Sequence, residues 1–135
     1  MSGRAPSRPM GLAERRRRHA LGLGAERLCA WHLRLRGWRI LARRFRTPAG
    51  EIDIVARRGR LIAFIEVKAR GDAGMAAESL GPRQRRRIAR AAALFVKKSP
   101  QYAGYDMRFD MMLVSPARLP RHVMDAWRDS PRAAE

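Results

Sequence analysis

Two apolar segments separated by a short turn constrain the fold of this chain more than any other feature. The segments EIDIVAR (51–57) and RLIAFIEVK (60–68) flank the dipeptide Arg58-Gly59, and both carry apolar residues at odd and at even positions. Side chains alternate between two faces along a strand, so this pattern predicts a β-hairpin that is covered by the rest of the chain on both faces. A chain of 135 residues suits one domain with one core.

The rest of the chain predicts further strands and two helices, in the order helix, three strands, helix, strand. These elements are helices from Leu12 to about Arg36 and from Pro82 to about Lys98, strands at 38–46 and 106–114, a turn at 47–50, a loop at 70–81 and a weak segment around 122–127. Helical spacing predicts one inward stripe on the first helix, formed by Leu21, Ala25, Leu28, His32 and Leu35. The pattern therefore indicates a mixed α/β domain.

Composition divides the chain into a core domain and two polar ends. We expect a mobile basic arm at 1–11, a single domain at 12–128 and a flexible tail at 129–135. Cys29 has no partner for an internal disulfide, and we interpret it as a small core residue. Neither a signal peptide nor a membrane-spanning stretch is visible, although the Arg-rich start also resembles a transit peptide. The sequence thus predicts a cytoplasmic protein.

The charge of the chain indicates a polyanionic partner. Thirty basic residues face 12 acidic residues, which gives a formal net charge of +18. Arginine supplies nearly all of the cations. Phosphate binding favours arginine, but a high-GC coding bias produces the same excess. The second helix is predicted to present a phosphate-binding side made of Arg83, Gln84, Arg86, Arg87 and Arg90. No aromatic residues are spaced for base stacking, so contacts to the nucleic acid backbone are expected.

The hairpin also carries an acidic group. Glu51 and Asp53 share one face of their strand, and Glu66 and Lys68 share one face of theirs. A two-residue turn at Arg58-Gly59 would place Asp53 opposite Phe64 and Glu51 opposite Glu66, with all four polar residues on one face. A three-residue turn would separate the two pairs. On one face, the carboxylates repel one another unless a cation such as Mg²⁺ lies between them.

A plainer interpretation is a cross-strand ion pair among Glu51, Glu66 and Lys68. Two features favour a metal site instead: the chain has only three lysines, and Glu66-Val67-Lys68 ends an otherwise apolar strand. A metal ion bound there could activate a water molecule and stabilise charge on a phosphoryl oxygen. Lys68 could then stabilise the developing negative charge.

The residues GEIDIVA and LIAFIEVKAR resemble the signature of the uncharacterised bacterial YraN family, and the likeness extends over roughly residues 20–127. That family in turn resembles the PD-(D/E)xK nuclease superfamily of restriction endonucleases and archaeal Holliday junction resolvases. The resemblance implies a restriction-endonuclease-like fold, with a central mixed β-sheet flanked by helices. It also implies cleavage of nucleic acid phosphodiesters with Mg²⁺ or Mn²⁺ as the cofactor.

Individual residues carry this resemblance. Asp53 matches the metal-binding aspartate of the superfamily, Glu66 matches the second metal ligand and Lys68 the catalytic lysine. Glu26 matches an acidic residue that completes many of these sites as a further catalytic and metal-binding group. Glu51 belongs to the GEID motif and has no settled role.

The chain departs from the family pattern outside these residues. Arg44 stands where relatives usually have asparagine, and the loop after EVKAR matches poorly. The second helix opens with PRQRRR, where relatives often have a lysine, and Gln84 is the candidate replacement for that lysine. These departures concern the substrate contacts rather than the proposed catalytic residues.

The favoured function is therefore a metal-dependent endonuclease, and we expect it to be specific for DNA structure, such as junctions, flaps or ends. The alternative is a non-catalytic nucleic-acid-binding module that retains the nuclease fold. A role at a membrane surface or in protein assembly is the third hypothesis, and we expect no membrane partner. Junction-cleaving members of the superfamily are often dimers, which raises the expectation of a homodimer. A structural role is expected for Asp110, and structural or surface positions are expected for His19, His32 and His122.

Overall fold

A computed structural model describes residues 12–68 and 80–129, and in the first helix it describes side chains from Gly24 onward. The predicted arm at 1–11 and almost all of the predicted tail lie outside the described residues, as does most of the predicted loop at 70–81. The side chain of His19 also lies outside them. Within the described part, no helix is long and apolar enough to cross a bilayer.

The predicted helices and strands are confirmed to within two residues at each end, and one strand is added. The elements are α1 (Leu12–Leu35), β1 (Arg39–Arg46), β2 (Glu51–Arg58), β3 (Leu61–Lys68), α2 (Pro82–Lys98), a short 3₁₀ helix (Pro100–Tyr102), β4 (Asp106–Leu113) and β5 (Arg121–Trp127). The weak segment around 122–127 is thus the fifth strand.

The five strands form one mixed sheet in the order β1-β2-β3-β4-β5. β3 and β4 are parallel, whereas the other neighbouring pairs are antiparallel. A parallel neighbour requires a crossover, and α2 lies within the connection from β3 to β4. The predicted fold class, a central mixed sheet flanked by helices, is confirmed and is consistent with a restriction-endonuclease-like fold.

Each face of the sheet packs against one helix. Between the sheet and α2, a cluster of buried residues includes Phe64 and Phe95. Between the sheet and α1, a second cluster includes Cys29 and Leu33, both fully buried. The prediction that the hairpin is covered on both faces is confirmed, as is the predicted burial of Cys29. The buried residues of α2 lie on one side of the helix: Ile88, Ala91, Ala92 and Phe95.

The inward stripe predicted for α1 is partly wrong. Ala25 and His32 are buried as predicted, but Leu28 and Leu35 are 41% and 75% exposed. Cys29 and its neighbours on the same side of the helix pack against the sheet instead. α1 carries apolar residues on more than one side, so apolar spacing alone does not select the side that is buried.

The register of the β2–β3 hairpin differs from the prediction by two residues. Arg58 lies opposite Leu61, so the turn residues are Gly59 and Arg60 rather than Arg58 and Gly59. Gly59 has φ +61°, and Arg60 does not share a positive φ. A hairpin turn of this kind needs glycine at its first central position, which explains the shift. Because the shift is two residues, every side chain keeps its predicted face.

Candidate metal-binding site

The acidic residues of the hairpin lie where β2 begins and β3 ends. The pairing of Ile54 with Ile65, continued by one residue, places Asp53 opposite Glu66 rather than opposite Phe64. The predicted partners were wrong because the turn lies one residue further along the chain. The prediction that the two acidic residues share a face still holds, and their side chains are hydrogen-bonded to each other.

Three carboxylates from two elements converge at this end of the sheet. Glu26 from α1 and Glu51 and Asp53 from β2 each offer one oxygen, and these oxygens lie within 4.8 Å of one another. We call these three residues the acidic cluster. Glu26 is only 7% exposed, and its Oε2 atom has no hydrogen-bond partner among the described residues. A buried carboxylate oxygen without a partner is costly, so this atom requires a ligand, a water molecule or a proton.

Asp53 is fixed by the backbone of the neighbouring strand. The N–H group of Val67 donates a hydrogen bond of 2.8 Å to Asp53 Oδ2. Burial raises the pKa of Asp53, the Val67 N–H lowers it, and the negative charge of Glu51 raises it again, with a net upward shift. The same causes act on Glu26, whose pKa is raised first by burial and then by the charge of Asp53.

Glu66 lies next to the acidic cluster but is not one of its three converging residues. Burial and then the charge of Asp53 raise the pKa of Glu66 to about 8, although Lys68 acts in the opposite direction. At neutral pH its carboxyl group is therefore largely protonated and donates the hydrogen bond to Asp53. Nε2 of Gln84 donates a long hydrogen bond of 3.5 Å to Glu66 Oε1.

Lys68 supplies positive charge to the site without forming a close ion pair. Its charge lowers the pKa values of both Asp53 and Glu66. In the part of the chain that the structure describes, no carboxylate lies within ion-pair distance of Lys68. The alternative of a cross-strand ion pair that includes Lys68 is therefore not supported. Its ammonium group remains available to a further anion.

Glu51 instead forms ion pairs with the adjacent edge strand. The Nε atoms of Arg44 and Arg46 lie 3.5 and 3.2 Å from its two carboxylate oxygens. Arg44 has φ +55°, a left-handed conformation that asparagine adopts more readily than arginine. The asparagine expected here from the family resemblance would suit this backbone but would not form the ion pair. The sequence left Glu51 without a settled role, and the structure places it both in the acidic cluster and in these ion pairs.

Glu51, Asp53 and Glu66 line a cleft of about 460 Å³ beside the start of α2. Three of the five residues predicted to bind nucleic acid line this cleft: Arg83, Gln84 and Arg87. Arg86 and Arg90 are exposed on the same helix but do not line it. Gly50 allows α2 to approach, because a Cβ atom there would lie 3.1 Å from Cβ of Arg87. Two residues of the acidic cluster, Glu51 and Asp53, thus share one cleft with a cationic helix face.

Asp110 has the structural role that was predicted for it. It is fully buried in β4 and accepts two hydrogen bonds of 2.8 Å from the guanidinium group of Arg108. His122 Nε2 lies 2.7 Å from Oδ2, and the N–H of Asp125 donates a bond of 2.9 Å to Oδ1. Burial alone would raise the pKa of Asp110, but these hydrogen bonds outweigh it and the net shift is downward. His32 is also buried, and neither histidine belongs to the acidic cluster.

The chain is similar to a set of bacterial proteins. Residues 25–114 match the sequence model of the uncharacterised protein family UPF0102. A UPF0102 protein of Parvibaculum lavamentivorans is 56% identical over 110 residues, which cover 82% of this chain and 83% of that protein. A UPF0102 protein of Paramagnetospirillum magneticum is 51% identical over 132 residues, which cover 95% of this chain and 98% of that protein. The matched range includes the whole acidic cluster, Glu66 and Lys68.

Proposed function

The chain belongs to the UPF0102 family, and we propose that it is a metal-dependent endonuclease that hydrolyses phosphodiester bonds in structured DNA. The observation that carries this proposal is the unpartnered, buried Oε2 atom of Glu26 beside the carboxylates of Glu51 and Asp53. Three carboxylates at this distance repel one another, and Glu26 is too buried for water to screen it fully. A divalent cation would reduce the repulsion among the three carboxylates and would also give the buried Oε2 atom of Glu26 a partner.

The donor set fits Mg²⁺ or Mn²⁺. Both ions prefer oxygen ligands, and Mg²⁺ is usually held by one or two carboxylates and several water molecules. Glu26 and Asp53 are the residues that would hold the ion, with Glu51 as a third candidate ligand. Glu66 would become a ligand only after losing the proton that it holds at neutral pH. When bound, such an ion supplies Lewis-acid chemistry at a phosphoryl oxygen and makes a nearby water molecule more acidic.

The chain's own residues would position the substrate and stabilise charge. The N–H of Val67 holds one oxygen of Asp53 in place, so the other oxygen can face the cleft. Lys68 carries an ammonium group that is not neutralised by a close carboxylate, and it would stabilise negative charge as the phosphorus is attacked. Arg83 and Arg87, which line the cleft, would hold phosphates on either side of the scissile bond.

Structured DNA is proposed as the substrate because the cationic residues of the cleft recognise phosphate rather than bases. Arg83 and Arg87 lie at the start of α2, and none of the described residues that line the cleft with them is aromatic. Contacts of this type position a nucleic acid without reading its sequence. Discrimination would then depend on the shape of the backbone path at a junction, flap or end.

The test is cleavage of branched, single-stranded and duplex DNA with Mg²⁺ or Mn²⁺. We expect Lys68→Ala and Asp53→Asn to reduce the cleavage rate by at least about 100-fold, the usual cost of losing one group that stabilises the transition state. Asp106→Asn removes an exposed carboxylate from the far end of β4 and is the matched control. Cleavage that survives in both site variants would exclude the proposed mechanism.

A non-catalytic nucleic-acid-binding module is the second candidate, and one observation favours it. Arg44 and Arg46 already neutralise Glu51, and the proton on Glu66 reduces the negative charge further. Calorimetric titration of Mn²⁺ into the wild type and into Asp53→Asn separates the two candidates. Binding heat that disappears in the variant supports the nuclease. No binding heat in either protein, together with retained DNA binding, supports the module.

A further inference from the structure

A second cationic surface lies at the opposite end of the hairpin from the acidic cluster. Three of the four residues at the turn are arginines: Arg57, Arg58 and Arg60, with Gly59 between them. Arg58 and Arg60 are exposed, and Arg57 is half-buried. We call these three arginines the hairpin tip. The surface predicted from sequence to bind nucleic acid lies on α2 and does not include them.

Aromatic rings hold the three guanidinium groups in place. The Cζ atoms of Arg57 and Arg60 lie 5.2 and 4.8 Å from the centre of the Tyr105 ring. On the other face of the sheet, Cζ of Arg58 lies 4.5 Å from the centre of the Trp38 ring. Cation–π contacts of this kind restrict a long side chain before any ligand binds. An anion that binds here therefore causes a smaller loss of side-chain entropy than it would at free arginines.

No acidic residue neutralises the hairpin tip. The N–H of Asp106 donates a hydrogen bond of 2.9 Å to the carbonyl of Arg60, which places an aspartate close by. Nevertheless, none of the three arginines forms an ion pair with Asp106 or with any other residue in 12–68 and 80–129. Arg57 and Arg60 approach the same ring, so their like charges repel each other. A bound polyanion would relieve this repulsion.

The rings beneath the arginines indicate contact with phosphate rather than with bases or lipid tails. Trp38 is 3% exposed, and Tyr105 is only partly exposed. Rings in these positions support the guanidinium groups but are poorly placed to stack on bases or to enter a bilayer. The planar fork of an arginine matches the oxygens of a phosphate group. Repeated phosphates at short spacing, as in a nucleic acid backbone, suit three arginines around one turn.

The hairpin tip is too far from the acidic cluster to contact the same phosphates. Asp53 and Arg58 are five residues apart on β2, which corresponds to roughly 17 Å along the strand. We propose that the hairpin tip is a second binding surface for the phosphate backbone of DNA, separate from the cleft at α2. Its partner is a DNA segment or arm that extends beyond the cleft. This binding requires neither metal nor cleavage, so it goes beyond the proposed nuclease activity.

The test measures binding of a fluorescently labelled DNA duplex in EDTA, where no metal-dependent cleavage occurs. The variant Arg58→Gln with Arg60→Gln removes two charges from the hairpin tip. Arg118→Gln with Arg121→Gln removes two exposed charges near the start of β5 and is the matched control. We expect the hairpin-tip variant to bind on the order of tenfold more weakly. The slope of log affinity against log salt should become shallower by about 1–2, because each lost phosphate contact contributes about 0.9.

A conservative variant separates charge from geometry. Arg58→Lys with Arg60→Lys should restore the salt slope but only part of the affinity, since lysine keeps the charge and loses the planar fork. Thermal unfolding of every variant verifies that the fold is intact. Affinity and slope that do not change in the hairpin-tip variant would overturn the proposal, as would an equal loss in the control. Lost binding to phosphatidylserine vesicles with unchanged DNA binding would also overturn it, in favour of a membrane partner.

Because cleavage is absent from this assay, the two proposals can fail separately. A chain that binds DNA through the hairpin tip but never cleaves it would refute the nuclease and leave the second surface intact. If the wild type cleaves DNA and the hairpin-tip variant binds DNA with unchanged affinity, the second surface is refuted and the nuclease proposal stands.

Discussion

Substitution of Glu66 by glutamine should change how the stability of the metal-free protein depends on pH. Burial and the charge of Asp53 raise the pKa of Glu66 from 4.5 to about 8 in the folded protein. In the unfolded chain the same group ionises near its ordinary pKa. Between these two values the folded state holds a proton that the unfolded state has lost. The free energy of unfolding therefore falls as pH rises through this interval.

The size of the effect follows from the shift. Each pKa unit corresponds to about 1.4 kcal/mol, so a group of this kind lowers the free energy of unfolding by about 3 kcal/mol between pH 5 and pH 8. Glutamine does not ionise, and its amide can still donate a hydrogen bond to Asp53. We expect Glu66→Gln to match the wild type near pH 5 and to exceed it by about 3 kcal/mol near pH 8.

Urea unfolding at several pH values, in EDTA and at constant ionic strength, measures this difference directly. Subtracting the wild type from the variant cancels the titration of groups that do not interact with Glu66. Ile62→Val is the control, because it removes a buried methylene group and no ionisable group, so it should differ from the wild type by a constant amount from pH 5 to pH 8. A Glu66→Gln difference that is constant with pH, or that falls as pH rises, would refute the reasoning.

Three further predictions concern residues around the site and in the core. Asp110→Asn should lower the free energy of unfolding by about 3–5 kcal/mol in urea, because Arg108 would lose the buried carboxylate that it pairs with; an effect below 1 kcal/mol would contradict this. Arg44→Asn should tighten Mn²⁺ binding about fivefold by calorimetry, because it removes a cation that pairs with Glu51; weaker binding would count against a metal at the acidic cluster. Cys29 should resist thiol reagents until the chain unfolds, because it is fully buried and burial raises its pKa to about 12; rapid modification of the native protein would disprove this.

The sequence predicted the faces of the hairpin better than its register. Apolar residues at both odd and even positions were enough to predict a sheet covered on both sides, because burial of both faces requires that pattern. The predicted cross-strand partner of Asp53 was wrong, because two turns of equal length, Arg58-Gly59 and Gly59-Arg60, are compatible with the same residues. Only the positive φ of Gly59 distinguishes them, and its place at the first central position sets the register.

The approach of α1 to the sheet could not be predicted from helical spacing. Leu28 and Leu35 lie exposed while Cys29 is buried, because the helix is apolar on more than one side. The identification of Glu26 as a site residue came from the family resemblance alone. Its proximity to Asp53 depends on how α1 packs against the sheet, and no local sequence pattern predicts that packing. β5 was predicted only as a weak segment around 122–127, because Trp127 is its only buried residue.

The candidate site combines groups that would be unfavourable in an ordinary core. Glu26, Asp53 and Glu66 all have raised pKa values, and burial is the first cause for each. A stable core would contain apolar residues or paired charges at these positions, whereas here the buried Oε2 of Glu26 has no partner among the described residues. A loss of folding stability from buried, unpaired carboxylates is typical of sites that bind a charged ligand, since binding of the ligand restores that stability. We therefore expect Mn²⁺ to raise the unfolding temperature of the wild type and to have a smaller effect on Glu26→Gln. An equal rise in both proteins would mean that the ion binds elsewhere.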